Sequence, residues 1–373
     1  MKKLRLALKY CTSDIIIGQE ILSKLGKYLA DAKLPRRVVV ISDLNVSRIY
    51  GPVVKHSLRS AGFRSDIIAV PSGERSKSLE TAKKIYKKLL DLKVHRDSAV
   101  IALGGGVVGD LSGFIAATYM RGTDFVQVPT TLLSQVDAGI GGKTGVNLEE
   151  AKNIVGAFYQ PRLVFSDMAA LITLPASEIR NGLAEVIKYG VIKDPSLFAF
   201  LEKQVLGIKN PKLTDPGEFK KLLGVWEALV FASARIKAAV VSLDEKETKG
   251  PRMMLNFGHT VGHAIEALKD YKGISHGQAV ALGMIAAAKI SVKMRLCKEI
   301  VPQRIEALVS AVGLPSGIKG LDAEDIIAKL ILDKKVRDGK VLFVLPKAVG
   351  SIVIRNDVPV RILREVLRQM GAK

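Results

Sequence analysis

The sequence predicts two domains: an α/β N-terminal domain with a parallel, Rossmann-like sheet over 1–174, and a mainly α-helical C-terminal domain over 175–373. Three observations predict this. A chain of 373 residues is too long for one ordinary hydrophobic core. Its first half alternates short β-branched runs with helical patterns, as parallel, doubly wound sheets do. After Leu174-Pro175 that alternation stops and long helical periodicity takes over.

The elements follow in order. Arg37 to Ser42 is a β-branched run ending at Asp43. Asp66 to Val70 is a second, closed by Pro71-Ser72-Gly73. Ser98 to Leu103 is a third, closed by three glycines, and Phe125 to Val128 is a fourth, ending at Pro129. Helical patterns such as Ser78 to Leu92 lie between them. Ligands of such sheets gather at the carboxyl ends of the strands, where Asp43, Gly73, Gly104 and Pro129 all fall. Helical periodicity then runs from Ser177 to about Met294, with Ser177 a candidate cap and Pro175 just outside the helix. A strand-like segment, Val341 to Pro346, and an amphipathic helix near Val360 to Met370 close the chain.

Composition narrows the function classes. Hydrophobic residues at 48% and charged residues at 25% argue against disorder. The longest apolar stretch, Ala279 to Ala288, is half of the ~20 residues a membrane span needs. Met1-Lys2-Lys3-Leu4-Arg5 is basic, but no apolar signal region follows before Lys9. Cys11 and Cys297 lie far apart and make no disulfide framework, which fits a reducing cytoplasm. The net charge of +21 invites a nucleic-acid partner or anionic metabolites. Without a basic tail, and with only 5% aromatics, nucleic-acid binding is disfavoured. The run Lys83-Lys84-Ile85-Tyr86-Lys87-Lys88 reads as a solvated helix face.

Gly104, Gly106 and Gly109 carry the glycine spacing of a dinucleotide loop, directly after a buried strand and before a helical run. Glycine lets a backbone approach a pyrophosphate, and a helix N-terminus supplies N–H donors. The loop departs from the Rossmann pattern because it does not follow the first strand. The ribose-binding acid expected about 20 residues on is also missing from a strand end; Asp124 begins a strand instead. A tight strand-to-helix turn is the competing explanation. Gly141-Gly142-Lys143-Thr144 is not a P-loop, because Asp137 stands where that motif requires glycine. Asp137, Lys143, Lys152 and Asn153 nonetheless crowd a glycine-rich segment suited to an anionic substrate.

Three of the five histidines, His259, His263 and His276, fall within 18 residues. His259 and His263, four apart, share a helix face, as do Glu185 and Lys188, three apart. Two histidines, a carboxylate and an open position would make a catalytic zinc site. Thr260 follows His259 where a zinc protease has glutamate, so hydrolysis by that route is disfavoured. Spacing leaves open which two histidines bind metal.

These segments together resemble the 3-dehydroquinate synthase family. The stretches that carry the resemblance are Pro71-Ser72-Gly73-Glu74 with Lys77, Gly104 to Asp110, Pro129-Thr130-Thr131-Leu132-Leu133, Gln135 through Asn147, Gly182 to Gly190, Leu255 to Glu266, and Ser275-His276-Gly277. The match spans roughly Asp43 to Pro346, and no core motif departs from the family pattern.

The resemblance implies a nucleotide-binding first domain and a metal-binding second one. Metal ligands would be Glu185, His259 and His276, with Zn2+ or Co2+ as the ion, and His263 would face the substrate. NAD would meet Asp43, Asn45, Glu74, Lys77, Gly105, Gly106, Val107, Asp110, Thr130, Thr131 and Thr173. Catalytic roles would fall to His263, Lys188, Asn256, Asp137 and Lys143. Substrate would be held by Arg121, Lys152, Asn153, Lys237, Arg252 and a lysine near Lys335, for which Lys334 and Lys340 compete. The implied activity is a phosphate-eliminating lyase of the shikimate pathway to aromatic amino acids. It would convert 3-deoxy-arabino-heptulosonate 7-phosphate to 3-dehydroquinate and phosphate. Transient NAD oxidation makes the proton beside the leaving group acidic; re-reduction and an intramolecular aldol step follow. A cytoplasmic homodimer is implied. Another sugar phosphate cyclase, or a metal- and NAD-dependent polyol dehydrogenase of the same fold, is the alternative.

Overall fold

Near-continuous apolar runs such as Val38-Val39-Val40-Ile41, all 0% exposed, need cover on both faces and so form central strands. The computed structural model describes residues 1–148, 152–208, 216–248, 250–269, 273–332, 336–337 and 340–373. Two compact units are present: Met1–Leu174 with Lys220–Lys246, and Pro175–Phe219 with Glu247–Lys373.

The first unit runs β1 (Lys2–Ala7), β2 (Thr12–Gly18), α1 (Leu25–Asp31), β3 (Arg37–Asp43), α2 (Leu44–Ser60), β4 (Arg64–Val70), α3 (Leu79–Asp91), β5 (Ala99–Gly104), α4 (Gly106–Thr118), β6 (Asp124–Pro129), a hairpin of β7 (Lys143–Val146) and β8 (Val155–Phe158), and β9 (Leu163–Asp167). Its seven-stranded sheet has the order β1-β2-β9-β6-β5-β3-β4. Every pairing from β2 to β4 is parallel, and β1 joins antiparallel. Alternation sorts side chains to two faces: Val38 and Val40 pack with Val54 and Leu58 of α2, while Val39 and Ile41 pack with Ile85 of α3 and Leu111 of α4. Each such side chain contributes about 1.5–3 kcal/mol on burial. Parallel strands share an edge for their carboxyl ends, so Asp43, Val70, Gly104, Pro129 and Asp167 line one rim of the sheet.

The second unit begins with α5 (Ala176–Ile192) and α6 (Pro195–Ile208). Helix α7 (Pro216–Lys221) then leads into α8 (Leu223–Leu243), which belongs to the first unit. The chain returns with α9 (His259–Leu268), α10 (His276–Lys293), α11 (Ile300–Ala311), α12 (Ala323–Leu332), the two-residue strands β10 (Val336–Arg337) and β11 (Lys340–Val341), the hairpin β12 (Phe343–Ala348) and β13 (Ser351–Arg355), and α13 (Val360–Gln369). Helices α9 and α10 touch backbone to backbone. A Cβ on Gly283 would lie 1.8 Å from the Gly258 carbonyl oxygen, and one on Gly262 would lie 2.9 Å from that of Ala279. At the head of α10, a Cβ on Gly277 would lie 2.4 Å from the Asn181 carbonyl oxygen on α5. Ser275 caps α10 through Gln278 in a reciprocal capping box. Among the described residues no helix is long and apolar enough to cross a membrane.

The four expected strands are β3 to β6. Three further strands of the main sheet carry weaker signals: β1 is half exposed and interleaves Lys and Arg, β2 opens on the polar run Thr12-Ser13-Asp14, and β9 has only five residues. Ser177 is not a cap: the helix starts at Ala176 with Pro175 at the N-cap position. The expected strand 341–346 is divided between β11 and β12. Helix α8, expected with the second domain, packs in the first unit; apolar periodicity shows that a helix is buried, not against what.

Candidate active site

The first unit gathers polar groups at its carboxyl-end rim. Strand β5 stops at Gly104, Gly105 is the N-cap of α4, and Gly106 and Val107 open the helix. The Thr130 N–H donates to the Gly104 carbonyl over 3.0 Å. A Cβ on Gly105 would meet Thr131 at 2.9 Å, and one on Gly109 would meet the Gln127 amide at the same distance. Close strand-to-helix packing thus requires these glycines, and it leaves the helix N-terminus clear for an anion.

One turn into α4, the Asp110 carboxylate accepts from Lys77 Nζ at 2.5 Å. Burial raises the Asp110 pKa, and the Lys77 charge opposes that rise. Lys77, only 5% exposed, also donates to Asn153 Oδ1. The Asn153 N–H donates to Asn147 Oδ1 at 2.9 Å, and Asn147 Nδ2 donates to Glu74 Oε1 at 2.8 Å. A single network therefore links Glu74, Lys77 and Asp110 to Asn153. Asp43 Oδ1 accepts from the backbone N–H groups of Asn45 and Val46 and from Ser72 Oγ, which holds the α2 entry rigid. Thr131 Oγ1 accepts from the Ser134 N–H, and the Thr173 hydroxyl pairs with Tyr50 Oη at 2.7 Å. Lys237 of α8, nearly buried, reaches Asp137 Oδ1 at 2.9 Å and its carbonyl at 2.7 Å. Lys143 opens β7 and Lys152 is exposed. Arg121 lies apart: α4 leads away from the rim, and Arg121 sits beside the start of β6, on positive-φ backbone (φ 63).

The second unit gathers a cluster with charge at its centre. Glu185, on α5, is 0% exposed. Lys188, one turn on, contacts its Oε2. His259 and His276 are the first residues of α9 and α10, so the glycine contacts between those helices set the distance between the two rings. Their Nε2 atoms lie 3.6 Å and 3.4 Å from Glu185 Oε1. His259 Nδ1 sits 3.1 Å from the Phe257 carbonyl, which only a donor can satisfy. His276 Nδ1 sits 3.4 Å from Glu266 Oε1. With both Nδ1 atoms so engaged, Nε2 is the ring atom that each histidine turns to Glu185.

This donor set fits a divalent metal. The ligand atoms of Glu185, His259 and His276 lie within 4.8 Å of one another, and so do those of His263, Glu266 and His276. The first set suits better, because Phe257 and Glu266 already occupy the Nδ1 atoms. Burial lowers the His276 pKa, but hydrogen bonds and charge from Glu185 and Glu266 outweigh it and raise it to about 10. Two carboxylates on one imidazole demand a positive charge, from a proton or from a metal ion held by the neutral ring. The His263 ring stands edge-on to His259, 5.2 Å between centroids. The 3-10 turn Pro251–Asn256, which carries buried Arg252 and ends in Asn256, packs against α5. Lys335 and Lys334 lie outside the described residues, and Lys340 opens β11.

Sequence reasoning missed two residues. Glu266 follows His263 by three and shares its helix face, a signal that was available. Asn147 has no spacing signal, since its role depends on a contact with Glu74 across 73 positions.

Known proteins agree with this architecture. A family model described as 3-dehydroquinate synthase N-terminal matches residues 67–181, and one described as 3-dehydroquinate synthase C-terminal matches residues 182–336. A 3-dehydroquinate synthase of Desulforamulus reducens is 47% identical over 356 residues, covering 95% of this chain and 96% of that protein. Among solved structures, a 2-epi-5-epi-valiolone synthase from Streptomyces hygroscopicus with NAD+ and Zn2+ bound is 28% identical, with a TM-score of 0.86 and 98% of each chain covered. A 2-deoxy-scyllo-inosose synthase complexed with carbaglucose-6-phosphate, NAD+ and Co2+ is 27% identical, with a TM-score of 0.84, covering 99% of this chain and 100% of that one. The architecture is shared with these synthases, which carry NAD+ and a divalent metal. Within that class, the chain belongs to the 3-dehydroquinate synthase family.

Proposed function

We propose that this chain converts 3-deoxy-arabino-heptulosonate 7-phosphate to 3-dehydroquinate and phosphate, as a lyase that uses NAD and a divalent metal, Zn2+ or Co2+. The observation that carries the proposal is the convergence of His259 and His276 Nε2 on the buried Glu185 carboxylate. Family membership and the two NAD- and metal-bound neighbours support the choice of cofactors. Glu185, His259 and His276 would hold the metal, leaving a fourth position for a substrate hydroxyl. When bound, the metal would supply Lewis acidity at that hydroxyl, and NAD would supply a reversible acceptor for the hydride of the carbon bearing it, with no net NADH.

The remaining roles belong to the chain's own side chains. Asp43, Asn45, Glu74, Lys77 and Asp110 would hold the nucleotide at the sheet rim, with Gly105, Gly106 and Val107 under its phosphates and Thr130, Thr131 and Thr173 completing the set. Arg252, buried and planar, suits the substrate carboxylate. Lys143, Lys152 and Asn153 suit the phosphate, and Lys188 and Asn256 the ring hydroxyls. Lys237, fixed by Asp137, adds a positioned cation, and His263 can hold or pass a proton near the leaving group. Arg121 stands apart from the strand-end groups of the first unit, so its proposed anion contact rests on family membership alone. The reading includes a cytoplasmic homodimer.

Phosphate release from the heptulosonate phosphate, with NAD and zinc present, tests the proposal. Expected are equal amounts of phosphate and dehydroquinate and no net NADH. Turnover of a different sugar phosphate with none of this substrate would favour another cyclase, and NADH accumulating with a simple polyol would favour a dehydrogenase.

A further inference from the structure

We propose a second binding site, in the groove between α3 and the edge strand β4, for a small amphipathic anion: an aryl or alkyl body carrying one carboxylate, sulfonate or phosphate. The groove encloses about 570 Å³, within the roughly 300–1,000 Å³ of small-molecule pockets. None of the residues assigned above to NAD, metal or substrate lines it.

Two features fix the ligand class. Ile68 and Val70 of β4 and Ile85 of α3, all buried, form an apolar floor that would accept a ring or short chain. Arg75, Lys84, Lys87 and Lys88 stand on the rim, against a single carboxylate, Asp91. Among the described residues, none of these four cations has an ion-pair or hydrogen-bond partner for its charged group. The run Lys83–Lys88, which reads in sequence as a solvated face, thus turns three lysines toward an apolar hollow. Positions 84 and 88 are four apart, and like charges at that spacing destabilise a helix. An anion seated between them would relieve that repulsion, and a neutral ligand would not. The edge position of β4 keeps the groove open, since among the described residues no further strand pairs beyond it.

The test titrates 8-anilinonaphthalene-1-sulfonate, an aryl body with one sulfonate, into the purified chain and follows its fluorescence. Saturable binding is expected, and the double variant Lys84→Glu, Lys88→Glu should weaken it at least fivefold while circular dichroism stays unchanged. A smaller change, or no saturable binding to the parent chain, overturns the proposal. Should the double variant fail to fold, Arg75→Glu gives the same comparison from the loop, with the same threshold.

Discussion

The cluster at the head of α9 and α10 and the cluster at the sheet rim are built in opposite ways. Around Glu185 three helices fix a few charged groups, and the carboxylate at the centre is wholly buried. An isolated buried carboxylate costs several kcal/mol; Lys188 at Oε2 offsets part of that cost, and a cation between Oε1 and the two imidazoles would offset more. At the rim the groups come from strand ends, the segments after them and the first turns of α4, and two asparagines, Asn147 and Asn153, relay hydrogen bonds between Glu74 and Lys77. Helix packing gives the fixed distances that a metal requires. A chain of neutral amides tolerates small displacements, as the binding and release of a nucleotide require.

If the two clusters work separately, single substitutions should disable one and spare the other. The largest effect is expected for Glu185→Gln. Removing the central charge should take bound zinc well below one ion per chain and cut turnover at least about a thousandfold, since polarisation by a metal contributes several kcal/mol. Calorimetric NAD affinity should hold within about twofold, because the variant spares the strand-end contacts. Zinc retained at full occupancy by elemental analysis would remove Glu185 from the ligand set. A smaller effect of the opposite kind is expected for Lys77→Met. It removes donors to Asp110 and Asn153, and charge-assisted hydrogen bonds contribute about 1.5–3 kcal/mol each. NAD affinity should fall roughly tenfold to a hundredfold with zinc content unchanged; unaltered NAD affinity would break the division of labour.

Legibility in the sequence follows the same contrast. β3 to β6 were readable because buried parallel strands are short, apolar and punctuated by Asp43, Pro71, Gly104 and Pro129. The histidine spacing marked α9, but spacing could not choose between His263 and His276, because the choice depends on where α5 lies. The structure narrows it: Glu185 Oε1 faces His259 and His276. The dependence of that geometry on Gly258, Gly262, Gly277 and Gly283 was hidden, since a glycine in a helical run weakens the helix signal and reveals its contact only in three dimensions. Tertiary assignment was likewise out of reach for α8, whose Lys237 meets Asp137 across 100 positions.

Glu266 offers the finest test of the second cluster, because it meets His276 at Nδ1, whereas Glu185 lies at Nε2. Its carboxylate orients the ring and makes Nε2 a better electron donor. In Glu266→Gln the amide oxygen can still accept from Nδ1, so orientation survives and charge is lost. In Glu266→Ala both are lost. Losing a partner behind a metal-bound histidine typically weakens affinity by about 10–100-fold. The expected order, measured by competing zinc away with a chelator of known affinity, is therefore parent above Gln above Ala, with Gln near the lower end of that range and Ala near the upper. Glu266 is almost buried, so thermal melting of the metal-free variants must be compared with the parent to separate lost stability from lost affinity. Equal zinc affinity in all three would mean that His276 is held by helix packing alone, and it would also exclude the His263, Glu266 and His276 grouping as the metal position, since Glu266 is one of its ligands.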